Sequence, residues 1–231
     1  MNQSPQFRAP QSALRAFTLI EMLVVIGIIA TLAALIAVGA AGVMHKGRVA
    51  RVQTELKGIE AIIENYKVKK GFYPPDNTNS AIQNPLFYEL TGTALVINNS
   101  TPYFASSISH TMLSQTVDVP TIFRLGGFVN ASADTNEFQN YFGRADLKAQ
   151  AWALVTNGPP PPPPFALLGI GGLKGPVELR GPATVISINP WRYNSSNPTN
   201  NPGSYDLWMD FISQGKTNRV SNWSKDPQIV Y

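Results

Sequence analysis

From Phe17 to Met44 the chain reads FTLIEMLVVIGIIATLAALIAVGAAGVM, with Glu21 as its only charged residue. As helix this stretch extends about 42 Å at about 1.5 Å per residue. The hydrocarbon core of a bilayer is about 30 Å thick, so the stretch predicts one membrane-spanning helix. Past it the pattern changes. Val49, Val52, Leu56, Ile59, Ile63 and Tyr66 recur at spacings of three and four, while Arg51, Glu55, Lys57, Glu60, Glu64 and Lys67 fall largely off that stripe. Such spacing places one apolar face along a helix. Gly71, Pro74 and Pro75 supply its stop. One helix from about Phe17 to Lys70 is therefore predicted, apolar all round over 17–44 and amphipathic over 45–70, as suits a stem that leaves a membrane and docks on a domain.

Residues 1–16 are polar and basic, and Pro5 and Pro10 oppose a stable helix there. Beyond Gly71 the signals shorten. Asn84-Pro85-Leu86-Phe87-Tyr88-Glu89-Leu90 predicts a short helix, with Asn84 as cap and Pro85 at the first position. Ala145–Val155 is a weaker helical segment. Ala183–Ile188, Ser204–Phe211 and Arg219–Trp223 read as strands between Asn/Pro/Gly-rich turns. Six prolines, Pro159–Pro164, form a polyproline II segment, read as a stiff exposed loop in preference to a ligand for a proline-reading groove.

Composition agrees with this division. Charged residues make up 14% of the 231, below the roughly 25% usual for soluble proteins. The deficit lies in the apolar stretch. Net charge is +4, and without Arg8 and Arg15 the balance is 16 basic against 14 acidic residues. No long basic stripe remains, so nucleic acid is not an expected partner. The chain has no cysteine, which excludes disulfides, Cys-ligated zinc and thiol chemistry.

No active site emerges, and the chain reads as a non-enzyme. His45 and His110 are isolated and read as ordinary surface or partly buried residues. Gly169-Ile170-Gly171-Gly172-Leu173-Lys174-Gly175 lacks the Gly-Lys-Ser/Thr ending of a phosphate loop and reads as a flexible loop. Trp191, Trp208 and Trp223 read as packing residues in preference to a stacking platform. Glu21 stands apart, because a carboxylate within a span costs about 2.5–3.5 kcal/mol on insertion scales unless it is paired. It either stays wet at the interface or has a partner. A plain secretory signal, cleaved at Gly39-Ala40-Ala41, fits poorly because its apolar run would be too long and would contain Glu21.

Arg15-Ala16-Phe17-Thr18-Leu19-Ile20-Glu21 followed by Met22-Leu23-Val24-Val25-Ile26 resembles the signal shared by type IV pilins and type II secretion pseudopilins. The resemblance implies a leader over 1–16, cut by prepilin peptidase between Ala16 and Phe17, with methylation of the new Phe17 amine. It implies assembly through Phe17 and Glu21, whose carboxylate pairs with the N-terminal ammonium of an adjacent subunit. Ala16 stands where the family usually has Gly, and Val38 where many members have Pro. Ile59–Lys67 with Gly71-Phe72-Tyr73-Pro74 is similar to the stem end of major pseudopilins. Asn189-Pro190-Trp191-Arg192-Tyr193 with Tyr205-Asp206-Leu207-Trp208 is similar to their strand pair, and Arg219–Trp223 to their closing segment.

The resemblance thus implies an α+β, pilin-like fold: a long N-terminal helix packed on a small antiparallel β-sheet, with a periplasmic domain over 71–231. About 76–182 then reads as a large irregular insertion. The implied role is structural, as a subunit of a periplasmic pseudopilus rooted in the inner membrane by a single span. Its implied partners are prepilin peptidase, other pseudopilins, the inner-membrane secretion platform and membrane lipid. A type IV pilin is the nearest alternative, and a membrane-tethered binding domain or enzyme that never polymerises is the other. Major pseudopilins bind calcium in the C-terminal loop, but Gln214–Arg219 is basic here. Calcium is therefore not favoured, and no cofactor is expected. Asp206 and Asp210 are too few for a cage of six to eight oxygens. A salt bridge from Asp210 to Lys216 or Arg219 is the alternative closure.

Overall fold

The structure, a computed structural model, describes residues 17–98, 101–106, 119–134, 137–142, 151–155, 165–177, 179–180 and 187–230. The expected leader over 1–16 with Ala16, His110 and the proline run lie outside these residues. The chain divides into two compact units, one ending at Met44 and the other beginning at His45.

Helix α1, Leu19–Lys70, contributes to both units. In the first unit no residue of Leu19–Ile36, mean hydropathy 2.7, is buried. This is one helix long and apolar enough to cross a membrane. In the second unit the predicted stripe is a core face. Val52, Leu56, Ile59, Ile63 and Tyr66 are buried, and Val49 packs against them. The helix ends as its composition dictates. Lys67, Lys69 and Lys70 occupy the last turn, and Gly71, at φ +88°, donates its N–H to the Lys67 carbonyl at 2.7 Å.

Along the rest of the chain come α2 (Leu86–Thr91), β1 (Thr93–Asn98), β2 (Thr101–Ser106), α3 (Val119–Phe123), β3 (Ala131–Ser132) and β4 (Trp152–Val155). They are followed by β5 (Phe165–Gly171), β6 (Leu179–Arg180), β7 (Ser187–Pro190), β8 (Arg192–Asn194), β9 (Asp206–Ser213), β10 (Lys216–Ser221) and β11 (Ser224–Val230). The sequence predicts one small antiparallel sheet, and the described residues form three. The C-terminal sheet has the order β11-β10-β9-β8 and is antiparallel throughout. A second antiparallel sheet runs β4-β5-β7-β6. The third runs β2-β1-β3, with β1 and β3 parallel.

Much of the described part of 76–182, expected as an irregular insertion, is core. Its β5 is buried along its whole length. The Tyr88 ring stacks on Phe128 at 4.5 Å, Phe123 meets Tyr88 and Phe165 edge-on, and Phe87 packs on Trp152 at 5.0 Å. Burying aromatic surface of this size is the main stabilisation available to such a region.

Two local readings are corrected with it. Trp152–Val155 is not helix but strand, paired in register from Trp152↔Leu168 to Val155↔Phe165, while 143–150 lie outside the described residues. Four apolar residues facing an all-apolar partner strand gain more from the ladder than from a helical turn. Gly169–Gly171 is not loop but part of β5. A Cβ on Gly169 would stand 2.4 Å from the Asn189 carbonyl oxygen, so only glycine allows this approach of β5 to β7.

Of the other expected strands, Ser204–Phe211 corresponds to β9 and Arg219–Trp223 overlaps β10. For Ala183–Ile188, Ser187 and Ile188 lie in β7, and 183–186 are outside the described residues. The short helix begins one residue late, at Leu86, whose N–H donates to Asn84 Oδ1 at 3.3 Å.

Candidate assembly segment and the polar network of the domain

Phe17 and Leu19–Leu35 carry large apolar side chains that are more than half exposed at Leu19, Ile20, Met22, Leu23, Ile26, Ile28, Ile29 and Leu32. Among the described residues none of Leu19–Ile36 is buried. Within this apolar surface Glu21 has a local role that the sequence reading overlooks. Its carboxylate accepts the Thr18 backbone N–H at 2.9 Å and the Thr18 hydroxyl at 2.8 Å, and Thr18 Oγ1 accepts the Glu21 N–H at 3.3 Å. This is a capping box, which satisfies backbone donors at the start of α1. The signal is present in the sequence as Thr18-Leu19-Ile20-Glu21, an S/T-x-x-E pattern ahead of an apolar run. The box holds the carboxylate beside the backbone N–H that follows Phe17, so the two residues the resemblance pairs in assembly sit at one helix end. Among the described residues no cation meets Glu21.

In the second unit the carboxylates are organised as structural acceptors. Glu89 in α2 is fully buried. Its Oε2 accepts the Tyr66 hydroxyl at 2.9 Å and the Asn130 N–H at 3.0 Å, and Oε1 accepts the Val129 N–H at 2.8 Å. Asn130 Nδ2 returns a bond to the Glu89 carbonyl at 2.8 Å. Burial raises the Glu89 pKa, opposed by the hydrogen bonds from Val129, Tyr66 and Asn130. Burial, with the Glu89 carboxylate beside it, also raises that of Tyr66. Asp76 accepts both the Ser195 and Ser196 N–H groups, at 3.1 and 3.2 Å. Tyr193 Oη donates to the Pro74 carbonyl at 2.8 Å. These bonds fasten the segment after the stem to the end of β8.

The resemblance to major pseudopilins implies a calcium site in the C-terminal loop, and the residues there do not fit one. Asp206 Oδ2 accepts the N–H groups of Thr199 at 2.9 Å and Asn200 at 3.0 Å, and Oδ1 accepts that of Asn201 at 2.9 Å. A ring of donors solvates an anion and repels a cation. Asp210 is held by Arg219 through two bonds, Nε–Oδ1 at 2.7 Å and Nη2–Oδ2 at 2.9 Å, with Arg192 Nε at 3.6 Å from Oδ2. The Asp210 bridge anticipated for this loop therefore forms, to Arg219 and not to Lys216. Among the described residues no group of three or more His, Asp and Glu converges as a metal site.

The remaining candidates make hydrogen-bond and packing contacts. His45 is half-buried, with Nδ1 3.0 Å from Ser213 Oγ. Trp191 is buried in the core, and Trp208 and Trp223 meet edge to face at 5.7 Å. Gly175 backs onto the Asn189 side chain, at 2.6 Å from where a Cβ would stand. No family model, no curated protein and no solved structure matches this chain.

Proposed function

We propose that this chain is a prepilin-type structural subunit, clipped before Phe17 and assembled through its N-terminal helix into a periplasmic pseudopilus of a type II secretion system. The observation that carries the reading is the carboxylate of Glu21, four residues after Phe17 in a segment, Leu19–Ile36, that is otherwise uncharged and of which no residue is buried. A span that served only as a tether would gain by losing that carboxylate. A filament subunit uses it, because a charge pair in low dielectric is strong where the geometry is fixed and fixes the register of neighbours.

The second unit supports the same reading. The apolar face of its amphipathic stem is buried in its own core, so the exposed helix surface over 17–36 is what remains for lipid and for other subunits. On this reading the span lies in the inner membrane with the domain in the periplasm. Prepilin peptidase and the secretion platform are then its partners, and no cofactor is required. Intact-mass analysis of protein from its native host tests the reading: the mature chain begins at a methylated Phe17. A mature terminus at Gly42 overturns it in favour of an ordinary signal sequence.

A further inference from the structure

The end of the second unit at which the chain enters is surrounded by cations. His45 contacts Ser213, the last residue of β9. Gln214 and Gly215, at φ +53° and +72°, form the two-residue turn between the paired Ser213 and Lys216. The Lys174 carbonyl accepts the Ile212 N–H at 2.7 Å, placing Lys174 beside the same hairpin. Arg51 Nη2 reaches the Gly171 carbonyl at 3.4 Å. Along the stem, Lys46 and Arg48 lie on opposite flanks of the stripe that starts with His45 and Val49, about 100° and 60° from His45.

Lys46, Arg48, Lys174 and Lys216 are all exposed, and among the described residues none of them is in an ion pair. The acids nearby are engaged: Glu55 with Arg51 at 3.4 Å, and Asp210 with Arg219 at 2.7 Å.

We propose that this cationic end is a seat for the anionic phospholipid headgroups of the bilayer that α1 enters. The proposal rests on the reading of 17–44 as a membrane span. Those 28 residues extend about 42 Å as helix. A bilayer with its headgroups is about 40–45 Å thick. His45 therefore emerges at the edge of the headgroup layer, with Lys46 and Arg48 following it along the chain and Lys174 and Lys216 flanking the hairpin it contacts, and cations there act on lipid phosphate over a Debye length of about 8–10 Å. Each such cation is worth about fivefold in occupancy of an anionic surface. The seat orients the β9–β10 hairpin on the membrane while the subunit waits outside a filament.

The test uses the full chain with a fluorophore on Gln214→Cys, the chain having no other cysteine. The protein is reconstituted in vesicles of phosphatidylcholine alone, or with about 30% phosphatidylglycerol, each carrying a headgroup quencher. Expected is at least about threefold more quenching in the anionic vesicles, abolished by about 0.5 M salt. Lys174→Glu with Lys216→Glu abolishes it too. Equal quenching in both vesicles, with the protein floating in both, overturns the proposal and leaves the span intact. Loss of quenching with inorganic phosphate but not with chloride of equal ionic strength overturns it in favour of a phosphate site. Quenching that requires an added acidic protein overturns it in favour of a protein partner. Failure to float with either vesicle overturns the span, and the proposal falls with it.

Discussion

The Tyr66 hydroxyl, on the last turns of the stem, donates to the buried carboxylate of Glu89 at 2.9 Å. Through this bond α1 is tied to α2, and through Val129 and Asn130 to the loop before β3. A fully buried carboxylate held by three donors is stable only as a complete set, so the stem is keyed to the domain by chemistry as well as by its apolar stripe.

Tyr66→Phe removes one donor from that set while keeping the ring. The expected loss is about 1–3 kcal/mol of unfolding free energy, measured by urea denaturation. Glu89→Gln adds a pH signature. The Glu89 pKa is raised in the folded chain, so its contribution is full below the unfolded value of about 4.3 and is lost as pH rises through the folded value. The difference in stability between wild type and Glu89→Gln therefore shifts against wild type as pH rises over that interval. A pH-independent difference refutes the assignment.

Asp210 serves two guanidinium groups, of which Arg192 is nearly inaccessible and Arg219 is partly exposed. Asp210→Asn leaves Arg192 buried without its counter-charge and costs about 3–5 kcal/mol. Arg219→Ala leaves the Arg192 partnership in place and costs less, a ranking that thermal melts of the two variants check. Calcium and chelator leave the wild-type melting temperature unchanged, since Asp206 and Asp210 are already satisfied by N–H donors.

Two glycines give changes of opposite sign. Gly169→Ala drives a methyl against the Asn189 carbonyl and the Ile188 side chain, and destabilises by about 1–3 kcal/mol. Gly58 is exposed in α1 with nothing within 4 Å of an added Cβ, so Gly58→Ala stabilises by about 0.5–1 kcal/mol. Chemical denaturation of the pair checks both signs in one experiment.

The stem was legible because a three-four spacing sustained over five turns has one structural solution, and the buried face from Val52 to Tyr66 is that solution. β9 was legible from its apolar run, but of β10 only Arg219–Ser221 was, since Lys216–Asn218 is polar and reads as part of the C-terminal loop. β5 was not, because Gly169 and Gly171 look like loop residues until the close approach of β7 supplies the reason for them. Trp152–Val155 is too short to distinguish the two periods, and its partner strand decides. β11 carries Lys225, Asp226 and Pro227, which read against a strand. They are tolerated because β11 is the edge of its sheet, where Pro need not donate. Glu89 was hidden because no local pattern tells a buried carboxylate from a wet one. Thr18–Glu21 was written in full as a capping box, and was obscured by the stronger membrane signal around it.

Whether the Glu21 carboxylate acts in assembly as well as in the cap sets the most direct test of the proposed function. The ratio of cross-linked oligomer to membrane-resident monomer is measured in the native host for wild type, Glu21→Ala and Thr18→Ala. Thr18→Ala loses the capping hydroxyl but keeps the carboxylate. Glu21→Ala loses both the box and the charge, while insertion is unimpaired because a desolvation cost of about 2.5–3.5 kcal/mol disappears. Wild type and Thr18→Ala are expected to form oligomers alike, with Glu21→Ala at normal abundance in the membrane and depleted from oligomers. Equal oligomer formation by Glu21→Ala would reduce the carboxylate to a helix cap and contradict the account.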